Sequence, residues 1–164
     1  MKRPREKNLV PQNNPEKARA YAFLLLKFRL RSARELEERL KRKGFSQEQA
    51  GDTVNFLKTK EFIDDRVFAA KWAASRLRKP VGLRRIRQEL AAKGIAQELI
   101  EEVLCGAQQE YSEKEIVKQL AEQRFARNRG VDAQKARARV YAYLLRRGFA
   151  PDVVKEVLAN HDDC

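Results

Sequence analysis

Side chains on which enzymes and metalloproteins depend are scarce in this chain. Its one histidine, His161, lies near the carboxyl end, so imidazole catalysis or a histidine-bearing metal site is not expected. The two cysteines, Cys105 and Cys164, are far apart in the sequence. That separation argues against a structural disulfide or a metal pair and suits reduced thiols. Neither G-x-x-x-x-G-K-S/T nor G-x-G-x-x-G occurs, so no backbone cradle for nucleotide phosphates is in view. No apolar run approaches the roughly 20 residues that cross a bilayer. The opening M-K-R-P-R-E-K-N-L-V-P lacks the hydrophobic stretch of a secretory signal. An enzyme, a metal, a cofactor and a membrane are all unexpected, and the expected compartment is the cytoplasm.

Glycine and proline are also few, at 7 and 5 residues, while 36% of residues are charged and 43% hydrophobic. That balance favours helices with wide solvated faces over a sheet protein. The formal net charge is +13 and is unevenly spread. Residues 1–31 hold nine Lys/Arg against two Glu, and the remainder 27 against 21. Such a surplus suits a polyanion or an acidic surface on a protein partner, without choosing between them.

One pattern occurs three times. Leu36, Leu40, Gly44 and Phe45 form the first copy, Ile86, Leu90, Gly94 and Ile95 the second, and Val140, Leu144, Gly148 and Phe149 the third. Two apolar residues one turn apart, then Gly, then an apolar residue describe a helix closed by a left-handed residue, with the next side chain folding back. The residue before each Gly is basic: Lys43, Lys93, Arg147. Six and ten positions beyond each Gly stand Ala50/Val54, Ile100/Leu104 and Val154/Leu158, the inward face of a following helix.

In chain order, residues 1–13 are expected to be a basic disordered arm. Asn14 and Pro15 open the first helix, whose inward face would carry Ala18, Tyr21, Ala22, Leu25 and Phe28. Ser32 with Glu35 and Ser112 with Glu115 read as capping boxes, and Ser46 with Gln49 can start the third helix. Asp64 and Asp65 read as a helix start, not as metal ligands, because no third ligand stands near them. Phe68 and Trp72, one turn apart, read as core. Lys79-Pro80-Val81-Gly82 breaks the chain before the next helix, and Asp132 caps a later one. Glu35–Arg39 and Glu37–Lys41 are expected as helix ion pairs. The predicted fold is all-α: three tandem three-helix, helix-turn-helix-like repeats at 14–61, 62–110 and 111–160, followed by a tail at 161–164. Units of about 45 residues bury too little alone, so they should pack in a row as an elongated, curved body.

The second repeat carries a resemblance. F-I-D-D-R-V-F-A-A-K-W from Phe62 to Trp72, then Arg76, Gly82, and R-I-R-Q-E-L-A-A-K-G-I from Arg85 to Ile95 closely resemble the RecX family of recombinase regulators. The likeness is strongest over 62–104 and extends more weakly through both flanking repeats. Its structural motif falls on Asp64, Asp65, Phe68, Trp72, Gly82, Ile86, Leu90, Gly94 and Ile95. The resemblance implies a non-enzymatic modulator of RecA, with a place in homologous recombination, DNA repair and the SOS response. Family members lie in the groove of the RecA filament on single-stranded DNA. They suppress ATP hydrolysis, strand exchange and coprotease activity by blocking filament growth or promoting disassembly.

Contacts are expected at two basic clusters. Arg76, Arg78, Lys79, Arg84, Arg85 and Arg87 occur with no acid between them; Arg124, Arg127, Arg129, Lys135, Arg137, Arg139, Arg146 and Arg147 occur with Asp132 alone. Arg reaches phosphates or carboxylates bidentately, although outward helix positions are polar in any case. A monomer is expected, with weak, sequence-nonspecific binding to single- and double-stranded DNA. Two rivals remain. One is a helix-turn-helix DNA-binding protein, although residues 47–57 and 97–104 are poor in cations for entry into an acidic groove. The other is an adaptor that binds protein alone.

Overall fold

The structure, a computed structural model, describes residues 14–107 and 111–161. The arm at 1–13, Cys164 and most of the expected tail lie outside the described residues. Among those described there are nine helices and no strand. They are α1 (Pro15–Phe28), α2 (Ala33–Lys43), α3 (Gln47–Thr59), α4 (Asp65–Leu77), α5 (Leu83–Ala92), α6 (Gln97–Ala107), α7 (Glu113–Ala126), α8 (Ala133–Arg146) and α9 (Pro151–His161). The described residues form two compact units, one ending at Phe68 and the other beginning at Ala69.

The three glycine turns close alike. Gly44, Gly94 and Gly148 have φ of 106°, 78° and 85°. The amides of Phe45, Ile95 and Phe149 donate to the carbonyls of Leu40, Leu90 and Leu144 at 3.2, 3.2 and 3.3 Å. Each Gly amide donates three residues back, to Lys41, Ala91 and Leu145. This pair of bonds satisfies carbonyls that a helix end otherwise strands. The residue after each Gly is buried, as are both apolar residues of the preceding helix. A fully buried Leu side chain contributes roughly 2 kcal/mol, so each turn is tied to its core as well as to its helix.

The basic residue before each Gly has a local purpose. Lys43 Nζ lies 5.4 Å from the Tyr21 ring centre, Lys93 Nζ 4.4 Å from that of Trp72, and the Arg147 guanidinium 5.3 Å from that of Tyr143. A cation over an aromatic face is worth about 0.5–1 kcal/mol at an exposed site.

Caps follow the sequence closely. The side chains of Asn14, Ser32, Ser46, Ser112 and Asp132 accept from the amides of Lys17, Glu35, Gln49, Glu115 and Lys135. Ser46 and Gln49 complete a full capping box. Asp64 accepts from the amides of Arg66 and Val67 at 2.7 and 3.3 Å. Asp65 serves a different helix. Its Oδ1 accepts from the amide of Ala33, the first residue of α2, at 2.9 Å.

Three expectations are corrected. Phe28 is not an inward residue but is 76% exposed, because α1 turns Ala18 and Ala22 to the core and Phe28, its last residue, stands to one side of them. Glu35 pairs with Arg29, both oxygens at 3.0 Å, where Arg39 was expected. A non-helical Arg29 reaches the first turn of α2 bidentately, which a residue one turn along the same helix does not match. Trp72 is half-exposed. Its indole Nε1 donates to Glu89 at 3.1 Å, and Arg76 and Lys93 lie over its ring. An indole with a polar handle settles at the rim of a core more readily than inside it.

Candidate functional site

The cations of the first basic cluster divide by what they already hold. Glu89 on α5 accepts from Arg76 Nε at 2.6 Å, Trp72 Nε1 at 3.1 Å and Arg85 Nε at 3.2 Å, so one half-buried carboxylate binds α4 to α5. Arg87 meets Glu101 on α6 through both Nε and Nη2, at 2.9 and 3.0 Å. That contact raises the pKa of Arg87 and lowers that of Glu101. Arg76, Arg85 and Arg87 thus join helices. Arg78, Lys79 and Arg84 are exposed and have no side-chain partner among the described residues.

The second cluster divides in the same way. Arg124 lies 3.7 Å from the centre of the Tyr143 ring, whose other neighbour is Arg147. Arg147 Nη1 also donates to the carbonyl of Pro80 at 3.1 Å. Arg137 is half-buried and engaged. Arg127, Arg129, Arg139 and Arg146 are exposed and without a side-chain partner among the described residues. Seven of the thirteen candidate cations are therefore available to a ligand, and charge pattern alone did not separate them from the other six.

A junction inside the second unit explains why several Arg residues are occupied. The start of α5 abuts the Gly148 turn. The Gly82 amide donates to the carbonyl of Arg147 at 3.0 Å, and a Cβ at Gly82 would lie 2.1 Å from the Gly148 oxygen. Arg85 Nη1 reaches the carbonyl of Arg146 at 3.5 Å. Tyr111 donates its hydroxyl to the carbonyl of Val81 at 2.6 Å, and burial, then Glu113, pushes its phenol up to about 12. Gly82 supplies no side-chain cap, and the first turn of α5 has no acid. Glu113 on α7 fills the gap by accepting from the Leu83 amide at 3.2 Å. It also accepts from the amide of Ala150. Asp65 does for α2 what Glu113 does for α5. Neither role was visible in the sequence, although an acid-free, cap-free helix start carrying Arg84 and Arg85 demanded a carboxylate from elsewhere.

Among the described residues, no group of three or more His, Cys, Asp or Glu is placed to hold a metal, and no helix is long and apolar enough to cross a membrane. Cys105 is an exposed free thiol.

Fold and surface together define a class: an all-helical protein of repeated three-helix modules whose outer face is rich in unpaired cations. Three family models match the chain in succession. They are the first, second and third three-helix domains of RecX, over residues 18–57, 64–104 and 112–158. Regulatory protein RecX of Chlorobium limicola is 31% identical over 92% of this chain and 93% of its own length. That of Thermotoga petrophila is 36% identical over 96% and 94%. The crystal structure of RecX from Lactobacillus salivarius superposes with a TM-score of 0.76 at 21% identity, covering 92% of this chain and 97% of that one. The chain belongs to the RecX family.

Proposed function

We propose that the protein is a negative regulator of RecA, which binds the RecA filament on single-stranded DNA and suppresses ATP hydrolysis, strand exchange and coprotease activity. The reading rests on the succession of all three RecX domains along the chain. It works without catalysis, as a monomer that blocks filament growth or promotes disassembly, and free DNA binds it weakly and without sequence preference. The repeats act as modules at 14–61, 62–110 and 111–160. The exposed, unpartnered cations Arg78, Lys79, Arg84, Arg127, Arg129, Arg139 and Arg146 make its polar contacts. Arg offers such contacts to carboxylate and phosphate alike.

The test is RecA ATP hydrolysis on single-stranded DNA, titrating in the protein with DNA in large excess. Inhibition at well below one molecule per RecA, undiminished by added DNA, is expected. Inhibition that disappears as DNA is added would mean competition for the polyanion and favour the helix-turn-helix alternative. Direct phosphate binding would also show a log–log salt slope of about −0.7 per contact on single strands.

The division among cations makes a sharper test. Arg84→Glu should weaken inhibition several-fold at a melting temperature equal to or slightly above wild type, because it places an acid in the first turn of α5. Arg87→Glu, which faces Glu101, should cost about 1 kcal/mol of stability and act on inhibition only through it. Equal loss of inhibition in both variants, each at wild-type stability, would refute the division.

A further inference from the structure

The carboxyl-terminal half of α1 exposes apolar side chains where a helix of this kind is ordinarily polar. Leu24 and Phe28 stand one turn apart and Phe23 adjoins Leu24, and all are exposed, Leu24 at 51% and Phe28 at 76%. Lys27 is the cation between them. Phe62, 52% exposed, extends the patch by meeting the Phe23 ring edge-on at 4.8 Å.

The placement of Phe62 is built. Among the described residues Glu61 is the one non-glycine with positive φ, at 57°. It closes α3 with the bonds seen at the glycine turns: the Phe62 amide donates to Leu57 and the Glu61 amide to Lys58, both at 2.9 Å. In those three turns the following apolar residue is buried; here it stands outward. The turn closes α3 and leads into the buried Ile63, yet its strained residue also sets the Phe62 ring in solvent, and strain of this kind concentrates at functional sites.

We infer that this face docks protein, and that its occupant is an acidic surface with apolar side chains at its centre. Taken with the proposed function, on which this step rests, that surface is the protein wall of the RecA filament and not its DNA. Lys27 lies within the face, and the exposed Lys17 and Lys60 that flank it in sequence are matched by Glu16 and Glu61, which leaves a net positive charge that a partner ringed by carboxylates complements. A second copy would set Lys27 against Lys27 across a two-fold interface on chains already at +13. Aliphatic Leu24, and a Phe23 ring whose flank is occupied by Phe62, suit side-chain packing better than base stacking.

Leu24→Ser, Phe28→Ser and Lys27→Glu test the inference in the full chain. All three positions are exposed, so helicity by circular dichroism should be unchanged, and Phe28→Leu serves as the conservative control. The readouts are half-inhibition of RecA ATP hydrolysis on oligo-dT, affinity for labelled oligo-dT alone, and sedimentation velocity. Each of the three variants should need at least tenfold more protein for half-inhibition, with oligo-dT affinity within twofold of wild type and Phe28→Leu near wild type. Undiminished inhibition by the folded variants would overturn the inference and leave the proposed function standing. Wild-type protein that fails to inhibit would overturn both. Parallel loss of oligo-dT affinity would mean base stacking, and a wild-type dimer that Phe28→Ser dissociates would mean a second copy; either overturns the inference.

Discussion

Gly82→Ala is expected to lower the stability of the second unit by about 4 kcal/mol. The new Cβ would meet the carbonyl oxygen and carbon of Gly148 and the amide nitrogen of Phe149 at 2.1–2.2 Å. All three are backbone atoms of a turn held by Gly148 at φ 85°. They do not yield as the tip of a side chain would. The start of α5 must therefore retreat by more than 1 Å to recover ordinary contact. The Gly82–Arg147 bond lengthens with it, as does the Leu83–Glu113 bond beside it. Overpacking costs about 1–3 kcal/mol and a lost hydrogen bond about 1, which at this chain length is a fall in melting temperature of roughly 10 °C. Gly51→Ala is the control. Gly51 lies within α3 with open space around its Cβ direction, so Ala there should stabilise by up to about 1 kcal/mol. Two variants with the same melting temperature would refute the close approach.

What the sequence made legible was local in origin. A helix that ends on a left-handed glycine signs itself within six residues, and that is why all three copies of the turn could be placed by number. Caps are local as well, and Asn14, Ser32, Ser46, Asp64, Ser112 and Asp132 behave as their positions indicate. The errors arose where a side chain had a choice of neighbours. Trp72 shares a helical face with Phe68, but an indole N–H needs an acceptor and found Glu89. Phe28 continues the apolar spacing of α1, yet that helix is apolar on two sides and spacing cannot say which is inward. The cationic clusters were visible as charge, but their division was not. Arg84 and Arg87 are alike in the sequence, and only the placement of Glu101 makes one a strut.

Glu113→Ala is expected to be nearly as damaging, for the opposite reason: it empties a contact instead of overfilling one. The Glu113 carboxylate caps α5 from another helix, accepting from Leu83 and also from Ala150. Gly82 cannot be replaced by a capping Ser or Asp, because the Gly148 turn occupies the space its Cβ would need. Truncation strands two amides, at about 1–3 kcal/mol each when buried. It also leaves the positive end of α5 facing Arg84, Arg85 and Arg87 without an acid in its first turn. A loss of about 3 kcal/mol follows once water has reached part of the gap. Glu113→Gln keeps a carbonyl oxygen for one amide and should remain within about 1 kcal/mol of wild type at pH 7.

The pair of proteins also reports on the charge. Burial raises the pKa of Glu113 above the ordinary carboxylate value, against the opposing pull of the two amides and Arg87. The folded state therefore holds this proton more tightly than the unfolded chain does. The associated stability is fully present below the ordinary pKa and is lost as pH rises through the raised one. Urea denaturation of wild type and Glu113→Gln at pH 7 and near pH 4.5 isolates that contribution, because the other carboxylates are shared. Wild type should gain on the variant as the pH falls. A gain in the other direction would mean that the amides and Arg87 outweigh burial, and that Glu113 holds the junction as a charge and not as a desolvated acceptor.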